Sequence, residues 1–391
     1  MSQRSLSGRH ARIYRDLKSI CAGLLLAITT TPTLADSIID CPLRDEPFSL
    51  NTPFLDILLS PAASAVVKRH IPGVMEKSPP LFLRTEVPAF GAIISTGVVA
   101  ARLQQPEDVV AALDAELQQL PVTDADRKAR CARYDNVPPE LEIPSTGKRI
   151  LVFDKINGFD HGPSVTAATN AVKALAEQQG WGVVVTGKGG AFIPEILSRF
   201  DVVVWNNNSG DVLTLSQRKA FEDYIHNGGG FVGIHGSGGD LSYYWDWYAE
   251  QLLGARFIGH PMKPQFQRAE IQVEKSPSGI AAALRPGWSM TDEWYSFAAS
   301  PRASNASVVA TLDEGSYDPG DFSGRDLHMG KDHPIVWTRC VKDGRSFYTA
   351  IGHRPEVYHV PENLMLLREG LSWAMGDGKT TCHNGKQVKN R

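Results

Sequence analysis

"GGGFVGIHGSGG", Gly228–Gly239, decides how this chain is read. A short apolar run, FVGI, leads into a cluster of small residues around one larger side chain. A strand-to-helix elbow needs that pattern, because only small neighbours let the central side chain stand exposed at the end of a strand. Serine or cysteine ordinarily fills the centre of such an elbow; here it is His235. The run is also one of a series. "RILVFDK" (149–155), "WGVVVTG" (181–187), "DVVVWNNN" (201–208) and "GGFVGIHG" (229–236) read as strands that are apolar almost throughout. Between them lie the helical stretches "VTAATNAVKALAEQQG" (165–180), "FIPEILSRF" (192–200) and "TLSQRKAFEDYIHNGG" (214–229). Strands apolar on both faces, alternating with helices, predict an α/β fold with a mostly parallel sheet covered by helices on both sides.

Ligands of such sheets bind at the carboxyl ends of the strands. The polar loops 155–164, 206–211 and 235–240 all fall there. Beyond Trp245 the pattern is mixed: "AEIQVE" (269–274), "ASVVATL" (306–312), "HPIVWTRCV" (333–341) and "RSFYTAI" (345–351) read as strands, and "PENLMLLREGLSWAMG" (361–376) as a closing helix. The α/β domain is expected over 146–378, with a tail over 379–391. Upstream, "TPFLDILLSPAASAVVKRHIPGV" (52–74), with Thr52–Pro53 as cap and first turn, and "QPEDVVAALDAELQQL" (105–120) step their apolar residues at helical spacing. "TDADRKARCARY" (123–134) opens on a threonine cap and an acidic turn. A small helical accessory domain over 36–145 follows, ending in the proline-rich linker "DNVPPELEIPSTGK" (135–148).

The first 35 residues have a different character. Arg4, Arg9, Arg12, Arg15 and Lys18 precede the apolar "ICAGLLLAI" (20–28), and "TTTPTLAD" (29–36) is small and polar. That order predicts a secretory signal peptide over 1–35 and a periplasmic or secreted product. The apolar run is far shorter than the ~20 residues a membrane span requires, so no stable span is expected in the mature protein. Formal charge is −3 for the whole chain. The leader is basic, so the remainder is more acidic and carries no basic stripe, which argues against a nucleic-acid partner. Cys41, Cys131, Cys340 and Cys382 remain after the leader, an even number suited to disulfides in an exported chain. Of their three connectivities, Cys41–Cys131 with Cys340–Cys382 is the simplest.

The stretches "GFDH" (158–161), "NSGDVL" (208–213), "GGGFVGIHG" (228–236), "DWYAEQLLGARFIGHP" (246–261), "TDEWYSF" (291–297), "ATLDEGSYDPG" (310–320), "MGKDHPIVW" (329–337) and "FYTAIGH" (347–353) occur in this order. Together they make the region from about Arg149 to Gly376 resemble the ThuA-like proteins, named for trehalose utilisation. That family shares the fold of class I glutamine amidotransferases. The amidotransferase elbow holds a cysteine nucleophile; ThuA-like proteins place histidine there, as this chain does at His235. With no cysteine between Cys131 and Cys340, a glutaminase mechanism lacks its thiolate.

The resemblance implies chemistry on a sugar or oxidised (keto) sugar, such as isomerisation or elimination. The expected catalytic groups are His235 or His353 as base and Glu293 or Asp292 as acid. His161, His235, His260 and His353 are candidate ligands for a divalent metal, zinc or manganese. His161, Asn207, Asn208, Asp211, Tyr243, Trp245, Trp294 and Tyr295 are candidate substrate-binding residues, the aromatics for sugar faces and the polar groups for hydroxyls. The first βα loop lacks a G-x-G-x-x-G fingerprint, so no dinucleotide is inferred. The alternative reading is a non-catalytic carbohydrate-binding or scaffold module. The two part on whether His235, His353 and an acid lie within hydrogen-bond reach of one another.

Overall fold

The computed structural model describes residues 39–377 and 380–389; the expected signal peptide lies outside them. The described residues form one compact unit. Its centre is a nine-stranded sheet. We number its strands along the chain: β1 Arg149–Phe153, β2 Gly182–Thr186, β3 Val202–Asn206, β4 Gly230–Ile234, β5 Phe266–Val273, β6 Gly287–Glu293, β7 Ser307–Asp313, β8 Pro334–Val341 and β9 Gly344–Thr349. In space the order is β2-β1-β3-β4-β9-β8-β7-β5-β6. The run from β2 to β9 is parallel, and the rest is antiparallel.

Local sequence accounts for these elements. β3 and β4 are buried along their whole length, matching their unbroken apolar composition. The helix Pro163–Gln179 has proline in its first turn and ends on Gly180, whose φ of +70° is the left-handed cap that glycine adopts without strain. Thr214 and Gln217 close a capping box at the helix Leu215–His226, and Thr123 and Asp126 do the same at Asp124–Cys131. Thr52 does not cap as expected: its hydroxyl accepts from Ser49 N at 2.9 Å, and the helix Phe54–Leu59 starts without a side-chain cap. Short-range pairing with a turn residue out-competes the cap there.

The N-terminal helices enclose their own core of Phe54, Ile57, Val67, Leu113 and Leu117. They also fasten onto the sheet's loops. Asp40 receives Ser216 N at 2.7 Å, Ala89 N donates to Asn157 O at 3.0 Å, and Ser242 N donates to Ile93 O at 3.0 Å. Buried Asp56 takes Arg133 in a two-pronged pair at 2.6 and 3.1 Å. Both disulfides follow the regional connectivity, Cys41–Cys131 and Cys340–Cys382. The second anchors the stretch expected as a tail, which is a hairpin of Thr380–His383 and Lys386–Lys389. Among the described residues no helix is long and apolar enough to cross a membrane.

Strand registers explain where the site forms. β4 and β9 are paired up to Ile234 opposite Thr349, so His235 and the Ala350–His353 turn leave the sheet side by side. β6 lies at the far edge, yet its Asp292 accepts Gly352 N at 2.7 Å and Arg354 N at 3.0 Å. The antiparallel half therefore curls back over the carboxyl ends of the parallel half.

Candidate active site

His235 is completely buried, with φ of +40°. A non-glycine residue in that region is strained and persists only where its surroundings over-determine it. They do so here. Its Nδ1–H donates to Ala350 O at 2.6 Å, its own carbonyl accepts from Tyr348 OH at 2.9 Å, and its ring stacks on Tyr295 at 4.2 Å. The carbonyl partner places a proton on Nδ1 and turns Nε2 toward the cluster.

Nε2 faces a cluster. His353 Nδ1 lies 3.3 Å away and Glu293 Oε2 3.4 Å away, while His353 Nδ1 and Glu293 Oε2 are 3.1 Å apart. The other oxygen of Glu293 accepts from Gln265 Nε2 at 2.5 Å and sits 3.3 Å from His260 Nδ1. Burial pushes the Glu293 carboxyl up, but hydrogen bonds from His235 and His353 outweigh it and hold the group well below the usual range, as a carboxylate. Burial pulls His353 down, while its bond to Glu293 overrides this and raises it.

His161 completes the group from the first βα loop. The rings of His161, His235 and His353 lie 5.0 to 5.2 Å apart and are steeply inclined to one another. Burial first, then the neighbouring imidazoles, drives His161 well below its ordinary value, so the ring is neutral. Its Nδ1 is buried without a hydrogen-bond partner. Glycine at 236 makes this approach feasible, because a Cβ there would stand 2.5 Å from His161 Cε1.

One ligand nitrogen from each of His161, His235 and His353 lies within 4.8 Å of the other two. Two nitrogens bound to one tetrahedral zinc stand about 3.4 Å apart, close to the 3.3 Å between His235 Nε2 and His353 Nδ1, and any longer separation in the trio would close on binding. The donor set fits a divalent ion: three neutral-capable imidazoles, an orphaned nitrogen, and a backbone carbonyl orienting His235 from behind.

The other expected site residues are placed differently. Asp292 does not face the cluster freely; both its oxygens take backbone N–H groups of the turn carrying His353, and burial raises its pKa. Asn207 Oδ1 accepts from Gly236 N at 3.2 Å, and Asn208 Nδ2 donates to Lys155 O at 2.8 Å. Asp211 pairs with Arg218 at 2.9 Å. These bonds tie the loops together, and Asn208 Oδ1 is left buried without a partner. Trp294 is fully buried with its indole N–H on Gln267 O, and Trp245 donates to Glu222 within a Trp247–Tyr248–Arg218 stack. Tyr243 OH accepts from Asp240 N at 3.1 Å. Tyr295 alone of these aromatics touches the cluster.

Four residues at the site were given no role from sequence: Gln265 and Phe266, and Phe159 and Gly352, which lie in the stretches GFDH and FYTAIGH. The rings of Phe159 and Phe266 lie 6.4 and 5.0 Å from His353, and Phe266 remains 39% exposed. An exposed phenylalanine beside a buried charged centre was detectable only once β5 was paired with Glu293.

A family model described as ThuA, trehalose utilisation, matches residues 149–374, more than half of the chain. The chain belongs to the ThuA family. A solved structure from Bacteroides uniformis described as ThuA-like is 24% identical, with a TM-score of 0.51, over 63% of this chain and 95% of that one. Another so described, from Parabacteroides merdae, is 16% identical over 62% and 93%, with a TM-score of 0.44. The first likeness bears on the fold, which agrees with the mixed α/β sheet above. No curated protein matches the chain. The ThuA region contains every member of the histidine–carboxylate cluster; the helices before Arg149 lie outside it.

Proposed function

We propose that this ThuA-family chain is an exported enzyme acting on a sugar or keto-sugar, with proton transfer at the His235–His353–Glu293 centre beside a divalent metal on His161, His235 and His353. One observation carries the reading: four chemistry-bearing side chains from four separate segments of the chain converge in a buried cluster, and His161 Nδ1 is left there without a partner. A buried unsatisfied imidazole nitrogen costs about 1–3 kcal/mol, which a bound ligand would relieve. The bound ion would supply polarisation of a substrate carbonyl. The chain's own residues would do the rest. Glu293, held as a carboxylate and oriented by Gln265, accepts the proton from the carbon beside the carbonyl. Glu293, then a carboxylic acid bonded to His353 at 3.1 Å, returns that proton to the neighbouring carbon.

A carbohydrate substrate is supported by the family's description, trehalose utilisation. Export is supported by the two disulfides, which persist in oxidising compartments such as the periplasm or the exterior. Convergence of His235, His353 and Glu293 within 3.4 Å favours catalysis over a plain binding module.

Elemental analysis of the purified protein, beside His235→Ala and His353→Ala, tests the centre. Stoichiometric zinc or manganese in the wild type and its loss in both variants is the expected result. A wild type that takes up neither ion after dialysis against them would refute the metal. Turnover within a panel of sugars and 3-keto-sugars, lost in Glu293→Gln, is expected of the enzyme; a panel bound but never converted would favour the binding module.

A further inference from the structure

The helices before β1 lie outside the ThuA region, and nothing about catalysis has so far required them. Their contacts say otherwise. The loop that carries His161 is gripped by residues 89–93. Ala89 N donates to Asn157 O at 3.0 Å, and Ile93 packs so closely on Gly158 that a Cβ there would meet Ile93 Cγ2 at 2.4 Å. Phe90 meets Phe159 edge-on at 6.2 Å and is itself stacked on Phe82 at 5.0 Å. Phe159 in turn stands edge-on to His161 at 4.9 Å and reaches His353 at 6.4 Å. A continuous row of rings thus runs from the helical segment to two of the three histidines.

We propose that residues 89–93 are a positioning element of the active site. They hold the 157–161 loop so that the His161 ring faces the other two imidazoles, and they set the Phe159 ring as an apolar wall beside His353. The inference rests on the metal reading above for its first test only. The physical reason is that a one-sided loop cannot hold an imidazole to the tolerance of a metal ligand, a few tenths of an ångström. The sheet side supplies Ser209, which accepts Asn157 N and Gly158 N at 2.9 Å through its carbonyl. The helical segment supplies the contacts of Ala89, Phe90 and Ile93 with this loop. With Phe159 in place, a sugar ring approaching His353 meets a phenyl face, suited to its C–H face and not to its hydroxyls.

The test uses the full chain, with Phe90→Ala, Phe90→Leu and Leu113→Ala. Leu113 lies fully buried in the helical core, so its truncation destabilises that segment by a route other than the ring row. Zinc affinity is measured by chelator competition and thermal stability by calorimetry. Phe90→Ala is expected to weaken zinc on the order of tenfold, as loss of outer supports does. Phe90→Leu should lose less, and Leu113→Ala should stay within about twofold of wild type despite a lower Tm. Equal zinc affinity in Phe90→Ala and wild type, or an equal loss in Leu113→Ala, overturns the proposal. Should Phe90→Ala fail to fold, Phe90→Leu against Leu113→Ala decides on the same criterion.

A second readout does not need the metal: the imidazole resonances of His161 in long-range 1H–15N spectra, which sense the Phe159 ring. They should shift in the Phe90 variants and not in Leu113→Ala. If the wild type binds no zinc, the metal reading fails, and the positioning role stands or falls on this spectrum alone. An unshifted His161 overturns it.

Discussion

Gly236→Ala isolates the approach of His161 to the elbow. The added methyl would sit 2.5 Å from His161 Cε1, 2.8 Å from its Nδ1 and 3.2 Å from Asn207 O. Carbon atoms in contact settle near 3.5 Å, so something must move by roughly 1 Å. The backbone at Asn207 is pinned, because its side chain bonds Gly236 N and Asn206, and Asn206 bonds the helix through Val165 O. The imidazole of His161 makes no such bond through Nδ1 and will be what yields. Gly236 has no left-handed φ, so alanine adds no backbone strain and the fold should survive. A 1 Å displacement exceeds the roughly 0.2 Å tolerance of a metal–ligand distance. Zinc affinity should therefore fall about 10- to 100-fold, which is roughly 1.4–2.8 kcal/mol, with little change in Tm of the metal-free protein. Chelator competition and calorimetry on the two proteins measure both quantities. Unchanged zinc affinity in a folded Gly236→Ala protein would refute the claim that His161 is a ligand in this geometry.

Other consequences follow from buried groups. Asp56→Ala should lower stability by about 3–5 kcal/mol, because it strands the Arg133 guanidinium, whose side chain is only 6% exposed; Arg133→Met in the same background should recover part of the loss in a urea titration. Asp240 is fully buried, and burial lifts its carboxyl to about 7 against the opposing bonds from Ser209 and Gly210 N. A carboxyl raised on folding binds more protons in the folded state, so its contribution is fully present below about pH 4 and is lost as pH rises to about 7. Asp240→Asn, which keeps the shape, should flatten that slope in Tm between pH 4 and 7; identical slopes would show that Asp240 is not the group. Thiol titration of the unfolded, unreduced protein lacking residues 1–35 should find no free cysteine, and Cys382→Ser should cost about 2–5 kcal/mol by freeing the C-terminal hairpin.

The strands of the parallel half and the helices between them were legible as elements, because the strands are almost unbroken apolar runs and the helices repeat apolar residues every three to four positions. So was the elbow: small residues around one histidine at a strand end have few other uses, and the order of its companion stretches led to the ThuA family. The cysteine regions suggested the simplest of three connectivities, and the structure has it.

The division of labour among the polar residues could not be read that way. Asn207, Asn208 and Asp211 have the composition of a hydroxyl-binding loop, yet each is engaged by backbone or by Arg218 arriving from elsewhere in the chain. Asp292 and Glu293 are adjacent in sequence but point opposite ways from one strand, so one braces the His353 turn and the other enters the cluster. Glu293 reaches that cluster from the far edge of the sheet, and the Phe90–Phe159 contact reaches it from helices outside the family region. Periodicity is a local property of the chain and records which face of an element is buried. Whether a polar side chain there is free to act depends on which distant backbone groups need a partner, and only the folded chain brings those together.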